Sequence, residues 1–183
     1  MRVFIAFQVN KEVRNQLHRL QLDLQALNRR QKLRWTNPVG FHVTVEFLGQ
    51  KSLEEVKQIS AVLDQVAAEA TPFNLWLARI GGFPNASAPK VIHVRVQDEK
   101  NEAARLRHQI LLPLGISEKA HPWQPHITVA RNPQGKYVDG LSLVKCEPIT
   151  WGIESMYLIK SELQPNGPKY TIISTHNFGQ AKL

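Results

Sequence analysis

At 183 residues, 43% of them hydrophobic and 8% aromatic, the chain carries enough apolar material for a packed core, which excludes a disordered or fibrous protein. A single cysteine excludes an internal disulfide framework and fits a reducing compartment. The formal net charge of +8 points to a polyanionic partner, of which nucleic acid is the commonest.

Taken in order, residues 2–7 (Arg2-Val3-Phe4-Ile5-Ala6-Phe7) read as a buried strand. The stretch is too short for a signal peptide and lacks its cleavage pattern. No apolar run nears the roughly 20 residues of a membrane span, so a cytoplasmic protein is expected. Asn10 offers an N-cap to an amphipathic helix whose stripe is Val13, Leu17, Leu20, Leu24 and Leu27, ending near Asn28. Arg29, Arg30, Lys32 and Arg34 then concentrate positive charge ahead of a short strand at Leu33-Arg34-Trp35, and Asn37-Pro38 turns the chain.

The next stretch, Phe41 to Gly49, alternates polar and apolar residues at a period of two, the pattern of a half-buried strand. That parity sends Val43, Val45 and Phe47 into a core and His42, Thr44 and Glu46 to the other face. Ser52-x-x-Glu55 makes a capping box for a second helix, with Leu53, Val56, Ile59, Leu63 and Val66 on its stripe and Pro72 beyond its end. A strand over 73–80, a turn-rich loop over 81–89 and a strand over 91–96 follow. Asp98 is placed to cap a third helix carrying Ala103, Leu106 and Ile110, with Arg105 and Arg107 on a solvated face. The chain closes with a strand from His126, a loop over 132–136 and strands at about 149–160 and 169–175. No linker or low-complexity run divides it, which predicts one domain over 1–183. Helices interspersed with short-looped strands predict an α+β fold with antiparallel pairing.

His126-Ile127-Thr128-Val129 repeats His42-Val43-Thr44-Val45. A single His-x-Thr carries little information, because strand histidines are commonly structural. Two copies present two imidazoles and two hydroxyls, a set suited to acid–base chemistry on a phosphate ester. Histidine fits because its ordinary pKa of about 6.5 lets neutral and protonated rings coexist near neutral pH. The two motifs are chemically equivalent, so residue type alone does not divide acid from base.

The twin motif resembles that of the two-histidine phosphoesterases. Within them the chain most resembles the bacterial and archaeal RNA 2′,3′-cyclic phosphodiesterases, also called 2′-5′ RNA ligases. The resemblance takes in Arg2 to Phe7, Phe47-Leu48-Gly49, Pro125, Ser161-Glu162-Leu163 and Gly167-Pro168-Lys169-Tyr170. It implies two pseudo-symmetric lobes of antiparallel sheet, with helices outside and an active-site groove between them. It also implies opening of an RNA-terminal 2′,3′-cyclic phosphate to a 2′-phosphomonoester, with His42 as general acid and His126 as base. Thr44 and Thr128 would then bind the phosphate. Phe47 and Arg131, at matching offsets from the two histidines, would bind the nucleotide, Phe47 by stacking. Strand parity sets both on the face opposite the histidines, where Phe47 has a core role as its alternative. The resemblance implies RNA as partner, a monomer, no metal and no cofactor, and a weak reverse activity as a 2′-5′ ligase.

Three other readings compete. One is an RNA- or nucleotide-binding module without turnover, and another is the same chemistry on 2′-5′ oligoadenylate or a small cyclic nucleotide. The third is a zinc site from His42, His121 and His126, against which stand flanking threonines that ligate zinc poorly. Tyr170 and His93 are candidates to border the groove, and His121 and His176 read as loop or edge residues. Cys146 has no activating neighbour in the sequence.

Overall fold

The computed structural model describes residues 1–118, 122–164 and 167–179. The described elements are β1 (Arg2–Gln8), α1 (Lys11–Leu27), β2 (Arg34–Trp35), a 3₁₀ turn (Pro38–Gly40), β3 (His42–Gln50), α2 (Leu53–Glu69), β4 (Phe73–Phe83) and β5 (Val91–Gln97). They continue with α3 (Glu102–Leu111), β6 (His126–Arg131), β7 (Thr150–Ile153), β8 (Ser155–Gln164) and β9 (Gly167–Asn177). The strands form two antiparallel sheets, ordered β3-β1-β8-β9 and β2-β6-β5-β4-β7. The α+β expectation holds. Among the described residues, no helix is long and apolar enough to cross a membrane.

Local chemistry sets the helix starts. Asn10 Oδ1 accepts from the Val13 amide, and Ser52 and Glu55 close the capping box reciprocally. Asp98 reaches in from outside α3, accepting from the Glu102 and Ala104 amides, while Asn101 occupies the cap position itself with φ +56°. β1 lies inside its sheet and is covered on both sides, which explains a run that is apolar rather than alternating. Val3, Ile5 and Phe7 join Val43, Leu75, Leu77, Ile92, Val94, Ile127 and Val129 in a core shared by both sheets. Phe4 and Ala6 face the other way, with Ile159, Tyr157 and Tyr170.

Several expectations are corrected. β4 continues through Gly81, Gly82 and Phe83 because these residues pair with His93, Ile92 and Val91, so the loop begins only after them. The stretch at 149–160 is two strands in different sheets, parting at Glu154. Arg107 is buried rather than solvated, its guanidinium paired with Glu46. His176 lies on β9, the edge strand of its sheet, as read, yet it is buried there, its Nδ1 2.6 Å from Asp64 Oδ1.

Candidate active site

A departure from simple strand parity falls inside both motifs. Opposite β1, the register steps from Ala6↔Thr44 to Ile5↔Glu46, so β3 carries an extra residue at Val45. Opposite β5, it steps from His93↔Thr128 to Ile92↔Ala130, and β6 carries its extra residue at Val129. Each is a β-bulge, which reverses the alternation beyond it. The burial order along the six residues from each histidine is accordingly the same: half-buried, buried, half-buried, buried, buried, exposed. Phe47, expected in the core, is 58% exposed and turned to the histidine face. Its ring lies 5.8 Å from Phe4, which lies 4.9 Å from His42. Arg131 undergoes the same reversal and pairs across strands with Arg34 of β2.

The two histidines are anchored in the same way. His42 Nδ1 lies 2.7 Å from the Gly40 carbonyl, and His126 Nδ1 lies 2.7 Å from the Gln124 carbonyl. A carbonyl oxygen only accepts, so Nδ1 carries the proton in both rings and Nε2 is the atom left for chemistry. The Thr44 hydroxyl lies 3.1 Å from His42 Nε2, to which it donates when that ring is neutral. Neither carbonyl has a side-chain signature, so sequence reasoning misses both anchors.

Aromatic walls fix the ring planes. His42 meets Phe4 and, edge-on at 5.2 Å, Tyr170. His126 is held edge-on by Phe83 at 5.0 Å and by His93 at 5.2 Å, and these two stack on each other at 4.1 Å. His93 therefore does border the site, packed directly against a motif histidine. Gly81 makes room for it, since a Cβ there would sit 2.9 Å from His93 Nε2.

The motif strands β3 and β6 meet where the sheets adjoin, and the Trp123 indole from the second sheet's approach donates to the Thr44 carbonyl at 3.2 Å. Electrostatics follow from this crowding. Burial holds the His42 pKa below its ordinary value, opposed by the Gly40 bond and assisted by the charge of His126. Burial also lowers His126, opposed by the Gln124 bond and assisted by Arg131. His93 is pushed down to about 4, mainly by burial and then by the charges of His126 and Arg95. Burial raises the Tyr170 phenol, against which Arg131 and Arg2 act. Cys146 is pushed up to about 11 by burial, as suits an unreactive thiol. Among the described residues no three His, Cys, Asp or Glu side chains are grouped to hold a metal ion. His121, the third member of the zinc reading, lies outside the described residues.

Two antiparallel sheets that each present a histidine and a threonine match the arrangement that the resemblance to the two-histidine phosphoesterases implies. The chain belongs to the 2′-5′ RNA ligase superfamily, whose family model matches residues 9–164. It is 31% identical to the RNA 2′,3′-cyclic phosphodiesterase of Thermus thermophilus, over 94% of this chain and 88% of that protein. The protein of that name from Geobacillus stearothermophilus is 29% identical, over 76% of this chain and 46% of the relative. The chain thus spans about half the length of the first curated relatives it matches, 46% and 57%. A crystal structure of a Thermus thermophilus protein, TT0787, has the same fold, with a TM-score of 0.80 at 28% identity, covering 99% of this chain and 100% of that one.

Proposed function

We propose that this chain opens RNA-terminal 2′,3′-cyclic phosphates to 2′-phosphomonoesters without a metal ion. Water attacks phosphorus as neutral His126 Nε2 removes its proton. The bond from phosphorus to the 3′ oxygen breaks as protonated His42 Nε2 delivers a proton to that oxygen. Each positioned transfer contributes roughly 10²–10⁴-fold. The cyclic phosphate carries one negative charge and the phosphorane gains a second, so donors already aimed at its oxygens stabilise that growth without rearranging. Thr44 and Thr128 take this role. Phe47 stacks on the terminal base and Arg131 binds the nucleotide beside it.

The observation that carries the reading is the matched anchoring of both rings through Nδ1, which leaves two equivalent Nε2 atoms for one acid and one base. The phosphodiesterase names of the relatives support the choice of substrate. With a 5′-hydroxyl in place of water as the nucleophile, the same groups open the ring by the same step, His126 taking the hydroxyl proton and His42 protonating the 3′ oxygen, and leave a 2′-5′ linkage. Both motifs come from one chain, so a monomer suffices. The test is product analysis after incubation with an oligoribonucleotide ending in a 2′,3′-cyclic phosphate, with excess chelator present. A 2′-phosphate product is expected; no product, or a 3′-phosphate, contradicts the assignment.

A further inference from the structure

The pseudo-symmetry of the two motifs is broken at the strand beside each. In the first sheet the residue paired with His42 is Gln8; in the second, the residue paired with His126 is Arg95. Cross-strand partners share a face, so Arg95 stands on the histidine face, one strand away from His126. On the next strand, β4, the register steps from Leu77↔Val96 to Ile80↔Val94. Ala78 and Arg79 are therefore both opposite Arg95, a bulge set against the arginine. Arg79 and Arg95 are exposed and line a depression of about 340 Å³ with Ala78, Val96 and Gln97.

Among the described residues neither arginine forms an ion pair. Like charges set against each other across paired strands destabilise a sheet, so sheet stability does not account for them. An anion set between the two guanidinium groups would offset that repulsion. Outside the depression, across from its lining residue Gln97, Trp76 donates through its indole N–H to Gln97 Oε1 at 2.6 Å, which sets the plane of a half-buried aromatic ring. Successive strands are about 4.8 Å apart, so His126, Arg95 and Arg79 form a line of steps running across the sheet. Thr128 and Arg131 run from His126 along β6 instead, to where Arg131 meets Arg34.

We propose that Arg95, Arg79 and Trp76 form a second binding site, which takes the single-stranded RNA chain on the 5′ side of the cyclic phosphate. Its phosphates lie on the two guanidinium groups and a base stacks on the indole, the combination by which single strands are held without sequence readout. The proposal rests on RNA being the substrate. It makes the enzyme favour an oligonucleotide end over a free cyclic mononucleotide, with the terminal nucleotide toward Phe47 and Arg131 and the chain leaving past Arg95.

The test reads binding rather than turnover. A hexaribonucleotide ending in a 3′-phosphate is titrated by fluorescence anisotropy across a salt series, against wild type, Arg79→Gln, Arg95→Gln, the double variant and Trp76→Ala. Each arginine replacement should make the slope of log affinity against log salt shallower by about 0.7, the value per phosphate contact in single strands. The double variant should weaken binding about tenfold or more, and Trp76→Ala should weaken it without changing the slope. Adenosine 3′-monophosphate, too short to reach the second site, should lose less than threefold. An unchanged hexamer slope, or equal weakening of hexamer and mononucleotide, overturns the proposal. If wild type opens no cyclic phosphate yet binds the hexamer through these arginines, the proposed reaction fails and the RNA site stands.

Discussion

Arg107 Nη2 lies 2.6 Å from Glu46 Oε2, and the Nε of the same guanidinium donates to the Val45 carbonyl at 3.2 Å. Val45 and Glu46 are the residues of the bulge in β3. A side chain of α3 thus holds the one-residue step that carries Phe47 from the core face to the histidine face. This is a structural ion pair with a consequence for the site, since its geometry sets where the aromatic ring stands.

Replacing Arg107 by Ala should cost about 3–5 kcal/mol, the range for breaking a buried pair by removing one partner, measured by urea unfolding. Where the variant still folds, KM for a cyclic-phosphate substrate should rise more than kcat falls, because the histidine anchors at Gly40 and Gln124 are untouched. A loss below about 1 kcal/mol, typical of an exposed pair, would mean that other contacts hold the bulge.

The pH dependence follows from two lowered histidine pKa values. The proposed reaction needs one ring neutral and one protonated in the free protein, and burial lowers both pKa values. The bell of kcat/KM should therefore be centred on the acid side of the ordinary histidine value of about 6.5. A bound phosphate favours protonated rings and raises both values, so the bell of kcat should lie at higher pH. Coincident bells would show that substrate charge does not reach the rings.

His93 makes a separate prediction about stability. Its folded pKa of about 4 lies below the unfolded value of 6.5. Between these values the unfolded chain binds the proton and the folded chain does not, so stability is lost as pH falls from about 6.5 toward 4. Thermal unfolding of His93→Phe over this range should show a smaller acid loss than wild type. Parallel curves would place the acid sensitivity on other groups.

The helices and strands are legible because hydrophobic period and capping residues announce them: Asn10 and the Ser52–Glu55 box act at helix starts as expected, while Asp98 serves the third helix from outside, with Asn101 at the cap position. The paired histidines and threonines are legible by repetition. The bulges are not, because a period-two pattern continues unbroken through Val45-Glu46-Phe47 while the backbone inserts one residue, so parity alone sets Phe47 on the wrong face. Arg107 reads as solvated because a helix pattern does not show which strand covers it. The carbonyl anchors and the contact of His93 with His126 come from backbone and cross-strand geometry that residue type does not encode.

At the centre of the proposed reaction, His42 and His126 act as one acid–base unit. The most direct measurement is kcat for His42→Ala, His126→Ala and the double variant on an RNA-terminal 2′,3′-cyclic phosphate, with folding verified by circular dichroism. Each single variant should lose roughly 10²-fold or more, and the double variant should be little worse than either, because residues acting as a unit are non-additive. A single variant retaining more than about a tenth of the wild-type rate, well short of the loss expected for a proton-transfer catalyst, would contradict the pairing.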